Sequence, residues 1–87
     1  MYRLLLCDDN KSFLLNANGM IQRNYSDVFE VDTVSSYEDI DKTVFYDVLI
    51  MDINLQDSKR NGINVAHELL QNSKSLQVIF ASLYHEY

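Results

Sequence analysis

The chain has no proline and only two glycines, Gly19 and Gly62, among its 87 residues. No Gly/Ser-rich linker, internal repeat or low-complexity segment interrupts it, so nothing marks a domain boundary and a single domain over 1–87 is expected. One cysteine, Cys7, excludes an intrachain disulfide. It lies in the run Leu4-Leu5-Leu6-Cys7 and reads as a small core residue. Cations are scarce: seven Lys and Arg face thirteen Asp and Glu, for a formal net charge of −6. That argues against a nucleic-acid-binding face and against adhesion to an anionic membrane. No apolar stretch suits a signal peptide or a membrane span, so a cytoplasmic location is expected.

What is present is a run of short apolar segments. Hydrophobic residues make up 47% of the chain, enough for a globular core. At this length a chain buries only about 60% of the surface its unfolded form exposes, which leaves little stability to spare. Leu4–Cys7, Val48–Met51 and Val78–Ala81 are each four residues long and continuous rather than alternating. Strands buried on both faces of a parallel sheet read that way. Val28–Val34 alternates, with Phe29, Val31 and Thr33 on one side and Glu30 and Asp32 on the other, as in an edge strand. Between these runs lie helical patterns. Phe13, Ala17, Met20 and Ile21 share one helical face, with Asn10 or Ser12 as its cap. Ser35 and Glu38 form a capping box for a short helix through Ile40. Ile63, Ala66, Leu69 and Leu70 make a third stripe behind Asn61-Gly62. Strands alternating with helices imply an α/β fold: a doubly wound parallel sheet with right-handed crossovers. Ligands bind such sheets beyond the carboxyl ends of the strands.

Three acids stand at that rim. Asp8 and Asp9 follow the first run directly, and Asp52 follows the third strand directly. If the two strands are neighbours, the carboxylates converge and repel, raising at least one pKa. A hard divalent cation such as Mg²⁺ removes the conflict, takes oxygen ligands and can bridge a phosphoryl group. Asn54 can add its backbone carbonyl to that metal set, and Ser82 can offer a hydroxyl to a phosphoryl oxygen.

Leu-Leu-Leu-Cys-Asp-Asp-Asn at 4–10, Tyr-Asp-Val-Leu-Ile-Met-Asp at 46–52, Gly62, and Val-Ile-Phe-Ala-Ser at 78–82 resemble the receiver domain of bacterial response regulators. The resemblance runs from residue 3 to residue 83. It implies a flavodoxin-like sheet of order 2-1-3-4-5. It also implies Mg²⁺ held by Asp8, Asp9, Asp52 and the Asn54 carbonyl, phosphotransfer from a sensor histidine kinase to Asp52, and a phosphoryl contact from Ser82. The loop Asn54–Asn61 lacks proline and is about two residues longer than usual, which is similar to receivers of LytTR-type regulators. The chain stops at Tyr87, where the resemblance implies a further helix, strand and helix, so an incomplete receiver of about four strands and three helices is expected. The phosphoryl-binding lysine belongs to that further part, and neither Lys59 nor Arg60 on the loop is a convincing substitute.

Other readings fit less well. A phosphohydrolase of the haloacid dehalogenase type needs an acid where Asn54 stands, so no enzyme is expected. An EF-hand loop from Asp52 needs Gly at Asp57 and Glu at Ile63. The alternative that stays open is a degenerate, unphosphorylated receiver acting as an interaction module. His67 reads as a solvated surface residue, and His85 lies in the tail Leu83–Tyr87, where nothing pairs it with a metal partner. The apolar strand Val78–Ala81, with no fifth strand beside it, implies an open edge and a homodimer, in which Tyr84 and Tyr87 could take part.

Overall fold

A computed structural model describes residues 1–53 and 61–81 of the chain. Strand β1 (Tyr2–Cys7) leads through helix α1 (Lys11–Tyr25) to β2 (Phe29–Val34). A single 3-10 turn (Tyr37–Asp39) precedes β3 (Val48–Met51), helix α2 (Gly62–Asn72) and β4 (Gln77–Phe80). All pairings are parallel, and the strand order is β2-β1-β3-β4. The expected α/β sheet is therefore present, with four strands and two α-helices among the described residues. No helix among them is long and apolar enough to cross a membrane.

The continuous apolar run of β1 is explained by burial on both faces. Leu4 and Leu6 pack with Leu14 and Ile21 of α1, while Leu5 and Cys7 pack with Val65, Ala66 and Leu69 of α2. The two helices thus cover opposite faces, the doubly wound arrangement that alternating side chains along a strand allow. Strand β3 is split the same way: Val48 and Ile50 join the α1 cluster, Leu49 and Met51 the α2 cluster.

Several local expectations shift. The buried face of α1 centres on Leu14, Ala17 and Ile21, which leaves Met20 on its rim and exposed. On α2 the centre is Val65, Ala66 and Leu69, and Ile63, about 100° from it, is exposed. The helix expected at Ser35–Ile40 is only the 3-10 turn. Ser36 rather than Ser35 stands at its cap, with the Ser36 hydroxyl donating to the Asp39 carboxylate at 3.0 Å. Asn10 caps α1 as expected, its side chain accepting the Phe13 N–H at 3.0 Å. Asn61 does the same for α2 through the Ile63 N–H at 2.7 Å. Among the described residues strand β4 is an edge, as expected, and its Ile79 and Phe80 are exposed, so its apolar run is not buried on both faces.

Polar contacts fix the amino-terminal ends of the strands. The Arg3 guanidinium meets Asp32 at 3.0 Å, and the Tyr46 hydroxyl donates to the same carboxylate at 2.6 Å. Asp32 is accordingly held below the usual carboxylate range, first by the Tyr46 hydroxyl and then by Arg3. The Arg3 N–H donates to the Asp47 carboxylate at 2.8 Å, locking the start of β3 to β1. Lys42, in the segment before β3, forms an ion pair with Glu68 of α2.

The opposite ends of the strands close on Gly62. A Cβ there would lie 2.6 Å from the Tyr37 hydroxyl, 2.7 Å from the Ile53 carbonyl oxygen and 2.8 Å from that of Asp52. The first turn of α2 can approach β3 this closely only without a side chain. Gly62→Ala should therefore destabilise the fold by about 1–3 kcal/mol, the usual cost of overpacking. An ordinary Gly→Ala change in a helix would instead stabilise by up to about 1 kcal/mol. Thermal denaturation followed by circular dichroism separates the two signs.

Candidate functional site

The site is assembled by backbone pairing. Cys7 lies opposite Met51 across the β1–β3 ladder, and each strand ends there. The Asp8 N–H donates to the Val34 carbonyl at 3.1 Å, and the Asp52 N–H donates to the Cys7 carbonyl at 3.0 Å. The residues just past two neighbouring strands are thereby set side by side, and both are aspartates. Asp8 is 2% exposed and Asp52 is 4% exposed, while Asp9 is half-buried. Oxygens of the three carboxylates all lie within 4.8 Å of one another.

Burial first, and the neighbouring charges of Asp52 and Asp9 after it, push the Asp8 carboxyl above the usual carboxylate range. The Asn10 N–H, donating to Asp8 Oδ1 at 2.9 Å, opposes that rise. The Cys7 thiol directly beneath the acids is fully buried, and desolvation pushes it up to about 12, with the Asp8 and Asp52 charges adding. It remains a protonated thiol at neutral pH and is a core residue, as its apolar run implied.

Two buried, mutually repelling carboxylates and a third beside them form an all-oxygen, anionic donor set. Such a set fits a hard divalent cation, whose charge offsets both the repulsion and the desolvation. Asp8, Asp9 and Asp52 are the residues that would hold it. Asn54 and Ser82 lie outside the described residues, as do Lys59, Arg60, His85, Tyr84 and Tyr87 and most of the loop from Asn54 to Asn61. His67 stands on α2, where its ring meets the Gln71 side chain at 3.2 Å, in an exposed position.

The family model of the response regulator receiver domain matches residues 4–87. The chain belongs to the response regulator receiver domain family. Solved structures agree on the fold. This receiver matches TrrA from Thermotoga maritima, solved in complex with Mg²⁺-BeF, with a TM-score of 0.78 and 25% identity over 97% of this chain and 71% of that one. It matches the response regulator MaeR, bound to beryllium trifluoride, with a TM-score of 0.78 and 19% identity over 99% and 70% of the two chains. RcsB from Salmonella enterica serovar Typhimurium, bound to promoter rprA in the presence of BeF3−, gives 0.76 and 15% over 99% and 72%. No curated protein matches the chain.

Tyr37 is a member of this receiver's site that the sequence does not single out. It is 2% exposed, and its hydroxyl donates to the Asp52 backbone carbonyl at 2.5 Å. The one available signal is a large aromatic within the polar stretch Ser35–Asp39, and periodicity cannot read a single 3-10 turn.

The raised Asp8 carboxyl carries a pH dependence with a definite sign. A carboxyl harder to ionise in the folded than in the unfolded chain costs nothing below its unfolded pKa. The cost grows as pH rises and is complete above the folded value. Asp8→Asn removes that charge and keeps an oxygen to accept the Asn10 N–H. The variant should melt above wild type at neutral pH in metal-free buffer, with the difference vanishing below about pH 4. If the three carboxylates hold Mg²⁺, it should also lose the stabilisation that added Mg²⁺ gives wild type. Melting curves across pH, with and without Mg²⁺, check both parts.

Proposed function

We propose that this receiver accepts a phosphoryl group on Asp52 from a sensor histidine kinase in a Mg²⁺-dependent reaction. The observation that carries the reading is the convergence of the Asp8, Asp9 and Asp52 carboxylate oxygens within 4.8 Å at the ends of adjacent parallel strands. In the transfer an Asp52 carboxylate oxygen attacks phosphorus, the P–N bond to the donor imidazole breaks, and that nitrogen keeps the electron pair. The product is an acyl phosphate on Asp52 and an unphosphorylated donor histidine. The chain's own residues supply position and charge. The ladder bond to Cys7 holds the Asp52 backbone, and Asp8 and Asp9 supply the carboxylates that bind the cation. When bound, the cation offsets charge on the phosphoryl oxygens and lets an anionic nucleophile meet an anionic donor. In this reading the Asn54 carbonyl completes the metal set, the Ser82 hydroxyl donates to a phosphoryl oxygen, and the loop from Asn54 marks a LytTR-type receiver. The Mg²⁺-BeF complex of TrrA supports the same use of the pocket.

The test is phosphorylation by acetyl phosphate, with the modified residue located by mass spectrometry. Labelling should require Mg²⁺, fall on Asp52 and disappear in Asp52→Asn. Equal labelling of the variant would remove Asp52 from the role.

Self-association belongs to the same proposal. Among the described residues strand β4 is an edge, and its Ile79 and Phe80 are 51% and 42% exposed. An edge strand presents backbone donors and acceptors that a second chain can pair. A homodimer that covers this edge should appear in sedimentation velocity as a concentration-dependent rise above the 10.2 kDa monomer. A clean monomer at about 100 μM, well above the Kd of an ordinary stable dimer, would contradict it.

A further inference from the structure

We infer that Tyr37 is a positioning residue for the phosphoacceptor: its hydroxyl, by holding the Asp52 carbonyl, sets where the Asp52 carboxylate stands. The inference rests on the proposed function and adds a residue from a different part of the chain to it. Strand β3 ends at Met51, so the Asp52 carbonyl lies beyond the ladder. The Asp52 N–H is held by the Cys7 carbonyl at 3.0 Å, and the Asp52 carbonyl accepts the Tyr37 hydroxyl. The peptide groups on both sides of the Asp52 Cα are therefore fixed, one through its N–H and one through its C=O. With both fixed, the direction of the Cα–Cβ bond is fixed, and only the two side-chain torsions of Asp52 remain. The next carbonyl along, that of Ile53, accepts the Gly62 N–H at 2.8 Å, so the chain leaving the site is held as well.

The surroundings of Tyr37 are built for this contact. Its ring packs in the cluster that contains Cys7, Met51, Val65 and Ala66, which holds the hydroxyl at one place. Gly62 leaves the space the hydroxyl occupies, since a Cβ there would come within 2.6 Å of it. Tyr37 follows β2, whereas Asp52 follows β3, so the contact carries the placement of the β2–β3 crossover directly to the acceptor.

The experiment compares the full wild-type chain with Tyr37→Phe and with Ile40→Val. Tyr37→Phe keeps the ring and removes only the donor. Ile40→Val trims a buried neighbour in the same cluster, at a stability cost comparable to that of one hydrogen bond. Two quantities are read: the carbonyl-carbon chemical shift of Asp52, and the Kd for Mg²⁺ from titration of the amide spectrum. In Tyr37→Phe the Asp52 carbonyl signal should move upfield, and the Mg²⁺ Kd should rise about 2–10-fold, the range set by one hydrogen bond. In Ile40→Val both should stay at wild-type values although the melting temperature falls. Wild-type Mg²⁺ affinity in Tyr37→Phe, or an equal loss in Ile40→Val, overturns the positioning role alone. A wild-type chain that binds no Mg²⁺ overturns the proposed function and this inference with it.

Discussion

The parallel register between β1 and β3 is the constraint on which the site depends. Because Cys7 faces Met51, the first residue beyond each strand falls at the same level of the sheet, and Asp8 and Asp52 become neighbours. Shifting either strand by one residue would turn its apolar set to the other face and carry its aspartate away from the rim. The cores on the two faces forbid that slip, since Leu5, Cys7, Leu49 and Met51 pack against α2 while Leu4, Leu6, Val48 and Ile50 pack on the α1 side. Hydrophobic packing thus forces together two carboxylates that would otherwise separate. The cost is visible in Asp8, whose carboxyl is held above its usual range by burial and by neighbouring charge.

That cost is also what makes the site useful. A cluster with its charges already desolvated and oriented gains more from a cation than flexible surface acids would, because the organisation exists before binding. The chain holds the cluster from several directions. The Asn10 N–H reaches Asp8, the Cys7 carbonyl holds the Asp52 N–H, and Tyr37 and Gly62 hold the carbonyls of Asp52 and Ile53. At the other end of the strands, Arg3, Asp32, Tyr46 and Asp47 form a separate polar knot that fixes where the strands begin. The two ends have different chemistry. One ties its acids to Arg3 and the Tyr46 hydroxyl, while the other concentrates charge of one sign at a buried rim.

Much of this was legible in the residues alone. Leu4–Cys7 and Val48–Met51 read as buried strands because both faces are covered, and the acids that follow them read as a cluster once the two strands are taken as neighbours. Asn10 is one of two cap candidates, with Ser12, and Asn61-Gly62 reads as a helix entry, because an Asx side chain before an apolar stripe favours a helix start. Where reading failed, the cause was local pattern meeting global position. Val78–Ala81 stands at the edge among the described residues, as expected, but its continuous apolar run also reads as buried on both faces, and there Ile79 and Phe80 are exposed. Met20 and Ile63 satisfy helical spacing yet sit on the rims of stripes whose centres are Leu14 and Val65. Tyr37 escaped because its role lies in a hydroxyl reaching a backbone carbonyl 15 residues away, which no short-range pattern signals.

A cation held jointly by Asp8, Asp9 and Asp52 would leave a spatial signature. Paramagnetic broadening by substoichiometric Mn²⁺ tests it most directly, because the effect falls steeply with distance from the ion. Backbone amides of Asp8, Asp9, Asn10, Asp52 and Ile53 should broaden first and together, and excess Mg²⁺ should reverse the effect. Broadening that is absent, spread over the acidic surface or centred on Glu30 and Asp32 would contradict it.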